Sequence, residues 1–179
     1  MRIITGSAKG RKLVSPKGVE TRPMQDRVKE ALFSSLGALV LGARVADLYA
    51  GTGSIGLEAL SRGAASAVFV ESSRDASVTL KQNIVLIDLG GDVVVDTVER
   101  FLSRSRATFD LVFMDPPYPV EAETVQQTLA NIIPRLSEGA TVILHRRRGE
   151  EAPQAAGLEL VDERRYGSTQ IWRYEESLT

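Results

Sequence analysis

The sequence predicts an α/β fold: a seven-stranded mixed sheet with helices on both faces, preceded by a small N-terminal β-hairpin. Three observations predict it. From residue 43 onward, short apolar runs of strand length alternate with stretches of helical periodicity, the mark of repeated strand–helix units on a parallel sheet. The run over 109–114 is near-continuously apolar, as expected of a strand covered on both faces. Near the end, two strand-like runs flank Tyr166-Gly167-Ser168, so an antiparallel pair closes one edge.

The elements follow in order. Residues 1–20 read as short strands broken at Gly6, Gly10 and Gly18, with Pro16 as a turn signal. A helix is predicted over 25–36, because Val28, Ala31, Leu32 and Leu36 share one face and Gly37 suits its end. A strand over 43–49 leads to a helix over 54–62 that stops at Gly63. The strand over 67–70 runs into Glu71, and Ser73 caps a helix over 74–87 with Ala76, Leu80, Ile84 and Ile87 inward. A strand over 92–95, a short helix over 98–103 and the strand over 109–114 come next. A helix over 122–136, a strand over 140–144, and the paired strands over 158–164 and 170–174 complete the sheet.

At 179 residues, the chain has the length of one domain with a small appendage, divided as a basic hairpin over 1–20 and a main domain over 21–179. The absence of cysteine excludes disulfides, thiolate zinc sites and cysteine nucleophiles. A single histidine, His145, excludes two-histidine metal sites, and no metal is expected. No apolar run approaches the ~18 residues that a membrane crossing needs. A cytoplasmic protein, free of membrane and monomeric, is the expectation.

The net charge of −1 hides an asymmetry. Residues 1–30 carry eight Lys/Arg against three acids, and the remainder fourteen against twenty. A basic arm on a mildly acidic body suggests either a polyanion partner or a solvated edge strand.

Ligands on open α/β sheets bind just beyond the carboxyl ends of the strands. After the first sheet strand comes Asp47-Leu48-Tyr49-Ala50-Gly51-Thr52-Gly53-Ser54-Ile55-Gly56, a G-x-G-x-x-G loop between strand and helix. Glu71 stands twenty residues after Gly51, where a carboxylate can accept both hydroxyls of a ribose. Leu57 in place of lysine rules out a Walker A loop. An adenosine cofactor is the expected ligand. The alternative is a tightly packed glycine turn with a solvated acid.

The fourth strand ends in Asp115-Pro116-Pro117-Tyr118. Tandem prolines fix φ and leave carbonyls without neighbouring donors. The exocyclic amine of a nucleobase needs two acceptors and a plane on which the base can stack. Asp115 and the Pro116 carbonyl can accept, and Tyr118 can supply the plane. A proline-ended strand with a core tyrosine is the other reading. A nicotinamide dehydrogenase would leave this tetrapeptide without a purpose.

The D-L-Y-A-G-T-G run resembles the first motif of class I S-adenosylmethionine-dependent methyltransferases, a Rossmann-like fold. On that resemblance Asp47, Tyr49, Ala50, Gly51, Gly53 and Glu71 would contact S-adenosyl-L-methionine, and Asp96 would meet the adenine amine. Across nearly its whole length the chain resembles the bacterial methyltransferases of a guanine N2 amine in 16S ribosomal RNA. The blocks that carry this are Arg2-Ile3-Ile4-Thr5-Gly6, Lys9–Leu13, Thr21-Arg22-Pro23, Asp26–Phe33, Gly56–Ala64, Phe69-Val70-Glu71, Asp115–Tyr118 and Tyr166-Gly167.

The resemblance implies methyl transfer from S-adenosylmethionine, with Asp115, Pro116 and Tyr118 catalytic. It implies 16S ribosomal RNA as partner, within an assembling small subunit, contacted by Arg2, Lys9, Arg11, Lys12 and Arg22. Arg27 and Lys29 are RNA contacts or solvated helix charges. Where the family usually has a carboxylate after the fifth strand, this chain has His145, followed by Arg146-Arg147-Arg148. The arginines are a further RNA contact or a solvated loop. An adenine-N6 methyltransferase and a non-catalytic RNA-binding assembly factor are the rival readings.

Overall fold

The seven strands lie in the order β3-β2-β1-β4-β5-β7-β6, with β1 (Arg44–Leu48), β2 (Ser66–Val70), β3 (Asp92–Val94), β4 (Phe109–Met114), β5 (Leu136–Arg147), β6 (Leu158–Tyr166) and β7 (Thr169–Glu176). The first five are parallel. β7 inserts antiparallel between β5 and β6. The computed structural model describes residues 1–15 and 24–177. The strand that leads into the glycine loop, β1, lies inside the sheet with the D-P-P-Y strand beside it, because β1 pairs with β2 on one side and β4 on the other.

Helices α1 (Asp26–Leu36), α2 (Ser54–Ser61) and α3 (Arg74–Ile87) cover one face, and α4 (Val98–Arg104) and α5 (Ala122–Ile132) the other. The period-2 alternation of strands assigns side chains to the two layers. Val45, Leu111, Phe113 and Ile143 join one core, and Ala46, Val112, Met114 and Leu144 the other. Ser73 and Thr97 cap α3 and α4 through their side-chain oxygens, accepting from Ala76 and Arg100 amides at 3.2 and 3.3 Å.

Two boundaries differ most from expectation. The helix expected to 136 ends at Ile132, passing into a 3-10 turn over Ile133–Arg135 that contains Pro134. β5 then begins at Leu136 instead of 140, with a register irregularity against β4 between Phe109 and Leu111. The N-terminal strands reduce, among the described residues, to a doubled-back segment closed by one antiparallel bridge between Arg2 and Lys12. Its amides at Ile3 and Gly10 donate to Arg11 and Ile3 carbonyls, each at 2.9 Å. Ile3, Ala8 and Leu13 are buried, so this segment packs into the core beside α1, α2 and α3. No helix among the described residues is long and apolar enough to cross a membrane.

Candidate active site

The glycine loop emerges where β1 ends, at the point where the sheet order reverses. Tyr49, Gly51 and Gly53 all have positive φ, at 64°, 56° and 82°. The strain at Tyr49 is of the kind concentrated at ligand sites. The glycines divide by task. A Cβ on Gly53 would stand 2.4 Å from Leu80 Cδ1, and one on Gly56 2.4 Å from the Phe69 ring, so both serve close packing. A Cβ on Gly51 would meet nothing within 4 Å: this glycine borders open space.

Glu71 closes the loop from β2. Its Oε2 accepts the Gly51 amide and its Oε1 the Ser73 amide, each at 2.7 Å. Asp47 lies beneath, wholly buried, with Oδ2 accepting the Gly56 amide at 2.8 Å. Burial pushes its carboxyl well above the usual range, with the Asp115 and Glu71 charges adding to the effect. The charges of Glu71 and Asp115 both act on Asp47, so carboxyl groups from β1, β2 and the end of β4 share one region, an arrangement that suits a cationic ligand. Asp96, beyond β3, accepts the Thr97 amide at 2.9 Å and approaches Arg100 at 3.5 Å.

At the end of β4, Asp115 Oδ1 lies 2.7 Å from Nδ1 of His145. Arg146, buried to 3% exposure, sits behind the proline segment. Its Nη1 donates to Pro117 O at 3.1 Å and lies 3.4 Å from Pro116 O. Its Nη2 donates to Val120 O at 2.8 Å, and its Nε to Glu150 at 2.7 Å. The prolines remove amide donors that these carbonyls would otherwise find nearby, and a planar guanidinium with five N–H groups replaces them. The Pro116 carbonyl is therefore turned in part to the protein, with one lone pair left. Arg147 is exposed, with its guanidinium 5.0 Å from the centre of the Tyr118 ring.

Of the residues expected on RNA, Lys9 and Lys12 are exposed on the doubled-back segment. Arg2 is exposed and lies 3.6 Å from Asp26. Arg11 donates to the carbonyls of Ile87 and Leu86 at 2.7 and 3.2 Å, satisfying the C-terminal end of α3. Arg22, with Thr21 and Pro23, lies outside the described residues.

Sequence reasoning missed several buried polar residues. Lys29 is neither solvated nor on a surface: its Nζ donates to the Arg2 carbonyl at 2.8 Å and to Ser54 Oγ at 3.0 Å. Burial pulls its ammonium below the usual lysine range, with Glu58 acting against that shift. Asn83 joins three segments, accepting from the Val14 amide at 2.8 Å and donating to Val14 O and Thr52 O at 3.1 and 2.9 Å. The available signal was Lys29 and Asn83 standing on the inward faces of otherwise apolar helical patterns.

A family model described as "Conserved hypothetical protein 95" matches residues 1–175. The Bacillus subtilis protein named "Putative rRNA methyltransferase YlbH" is 35% identical over 182 residues, covering 98% of this chain and 99% of its own. "Ribosomal RNA small subunit methyltransferase D" of Escherichia coli is 40% identical over 119 residues, 66% of this chain and 60% of the relative. The solved structure of "Putative methyltransferase yhhF from Escherichia coli" superposes with a TM-score of 0.89 at 32% identity, covering 100% of this chain and 99% of that one.

Proposed function

Because the chain belongs to the family described as conserved hypothetical protein 95, with ribosomal RNA methyltransferases among its relatives, we propose that it methylates the exocyclic N2 amine of a guanine in 16S ribosomal RNA, with S-adenosyl-L-methionine as donor. The observation that carries this reading is the position of Asp115-Pro116-Pro117-Tyr118 at the end of β4, next to the strand that bears the glycine loop.

The residues fit the donor. The open space at Gly51 admits a ligand against the backbone. A carboxylate has about four acceptor positions, so Glu71 keeps capacity for ribose hydroxyls beyond its bonds to Gly51 and Ser73. The carboxylates of Glu71 and Asp115, with the buried Asp47 beside them, suit a positively charged ligand, and Asp96, beyond β3, serves the adenine amine. When bound, the donor supplies an electrophilic methyl group on a sulfonium.

The chain's own part is positioning. Asp115 and the remaining lone pair of Pro116 O accept the amine hydrogens and orient the nitrogen. Tyr118 carries the base on its ring, and Arg146 keeps the segment rigid from behind. A base stacked in a helix cannot reach these groups, so the target is single-stranded or flipped out. Arg2, Lys9 and Lys12, with Arg11 and Arg22, meet phosphates of an assembling small subunit, which positions RNA without reading sequence. The protein acts as a monomer without a metal.

The test is tritiated methyl transfer to ribosomal RNA and subunits from cells lacking the protein, followed by nucleoside analysis. Label in N2-methylguanosine is the expected result. Label in N6-methyladenosine, or in DNA, overturns it.

A further inference from the structure

The parallel ladder puts His145 directly beside the Asp115–Tyr118 segment. Phe113 pairs with Ile143 and Met114 with Leu144, so Asp115 and His145 are the residues that follow directly after the last pair of the ladder. The side-chain contact is 2.7 Å between Oδ1 and Nδ1. The imidazole is 5% exposed and the Asp115 side chain 24%, so the contact lies at the border between core and site. The other ring nitrogen, Nε2, is buried with no hydrogen-bond partner among the described residues.

These facts select one tautomer. An ionised carboxylate only accepts, so a nitrogen bonded to it must carry the proton. A proton on Nε2 would instead create a buried donor facing no acceptor, which is costly. The bond at one ring nitrogen thereby sets the state of the other. For Asp115 the consequence is directional: Oδ1 is held by the imidazole, and Oδ2 is the oxygen left for a substrate.

We propose that His145 is a positioning residue for Asp115: its Nδ1–H holds Oδ1 and so fixes the rotamer in which Oδ2 meets the amine of the target base. The proposal rests on the function given above. A carboxylate with a free χ2 would sample orientations in which neither oxygen faces the amine. The neighbours agree with a site built for orientation, because Arg146, the next residue, fixes the Pro117 and Val120 carbonyls of the same segment. One strand end thus holds the whole D-P-P-Y loop, by its carboxylate and by its backbone.

The experiment has two parts, and the first does not depend on activity. His145 is the chain's only histidine, so nitrogen-15 spectra of histidine-labelled protein contain one imidazole. A protonated Nδ1 and a bare Nε2 are expected, with the Nδ1 signal moving in Asp115→Asn. A proton on Nε2 overturns the proposal.

The second part compares single-turnover methylation. In His145→Phe the ring remains and the donor is lost. The rate should fall on the order of 10–100-fold, the scale on which partners that orient a functional group act. The dissociation constants for RNA and S-adenosylmethionine should stay the same. His145→Asn, whose amide nitrogen can stand near the Nδ1 position, should recover most of the rate. A His145→Phe enzyme at the wild-type rate, or an Asn variant no better than Phe, overturns the proposal. Should wild-type protein put no methyl on guanine N2 at all, the functional reading itself fails and this role falls with it.

Discussion

Lys29 Nζ lies 3.7 Å from Glu58 Oε2 with neither side chain exposed, and the pair fastens the first residues of the chain to helix α2. Glu58 Oε2 also accepts the Ile4 amide at 2.7 Å, while Oε1 accepts the Thr5 amide at 3.0 Å and Arg62 Nε at 2.8 Å. The basic segment is thus anchored by a buried acid that its own backbone helps to satisfy. The same helix supplies the Gly56 amide to Asp47, so segment and glycine loop share one support.

Breaking this pair should cost more than an exposed pair would. Lys29→Ala removes a buried cation from a buried anion, a change of about 3–5 kcal/mol. Urea unfolding should show that loss, and the double variant Lys29→Met/Glu58→Gln should lose less than the two single changes together. A Lys29→Ala protein within ~1 kcal/mol of wild type would show that the ion pair does not anchor the segment.

Alanine at two glycines should separate binding from folding. Gly56→Ala drives a methyl to 2.4 Å from the Phe69 ring, an overpacking that costs about 1–3 kcal/mol. Gly51→Ala meets no protein atom within 4 Å, so its stability loss is confined to the positive φ, about 1–2 kcal/mol. Its methyl group instead occupies the ligand side of the loop. Calorimetry should find weakened S-adenosylmethionine binding by Gly51→Ala in a folded protein; unchanged affinity would remove Gly51 from the cofactor site.

Asp47 gives a pH dependence of known sign. Its folded-state carboxyl is raised by burial, while the unfolded chain ionises near the ordinary value of about 3.9. Between the two values the native state holds a proton that the unfolded state has lost, so this group makes stability fall as pH rises through that window. Asn at the position carries no such proton and can still accept from Gly56. Thermal melts of Asp47→Asn should show a stability gain that opens above about pH 4 and persists at neutral pH. Cofactor affinity should weaken in the same variant, as a site residue held at a cost to stability predicts.

Substitutions at Asp115 and Tyr118 should fail differently. Asp115→Ala should reduce the single-turnover rate by on the order of 10²-fold with RNA binding retained, as removal of a preorganised polar group does. Tyr118→Ala removes a stacking plane worth ~1–3 kcal/mol, so higher RNA concentration should recover part of its activity. Folded Asp115→Ala enzyme working near the wild-type rate would end the catalytic assignment.

On the N-terminal segment, Lys9→Ala with Lys12→Ala should flatten the salt dependence of RNA binding, by a slope of about 0.7–0.9 for each phosphate left without its lysine. Stability should be unaffected, because both side chains are exposed. Arg11→Ala should lower stability instead, since its guanidinium serves the last carbonyls of α3. An unchanged slope in the double lysine variant would make this segment a solvated edge.

The sequence by itself determined what is local along the chain. Apolar runs and helical periodicity located the seven sheet strands and the five α-helices of the described residues, because such patterns record which face of an element is covered. The glycine loop and D-P-P-Y were legible for the same reason: each chemistry is compressed into a few residues at a strand end. The fate of the charged and polar side chains was not. Lys29 finds its partner carbonyl 27 residues away, Arg11 76 away and Asn83 69 away. His145 meets Asp115 across 30 residues, and Arg146 reaches Val120 across 26. A long charged side chain is tolerated in solvent or in the core according to whether the fold brings it acceptors. Only the tertiary structure decides that, because the β4–β5 ladder and the packing of the N-terminal segment create pairs that no spacing within one element contains.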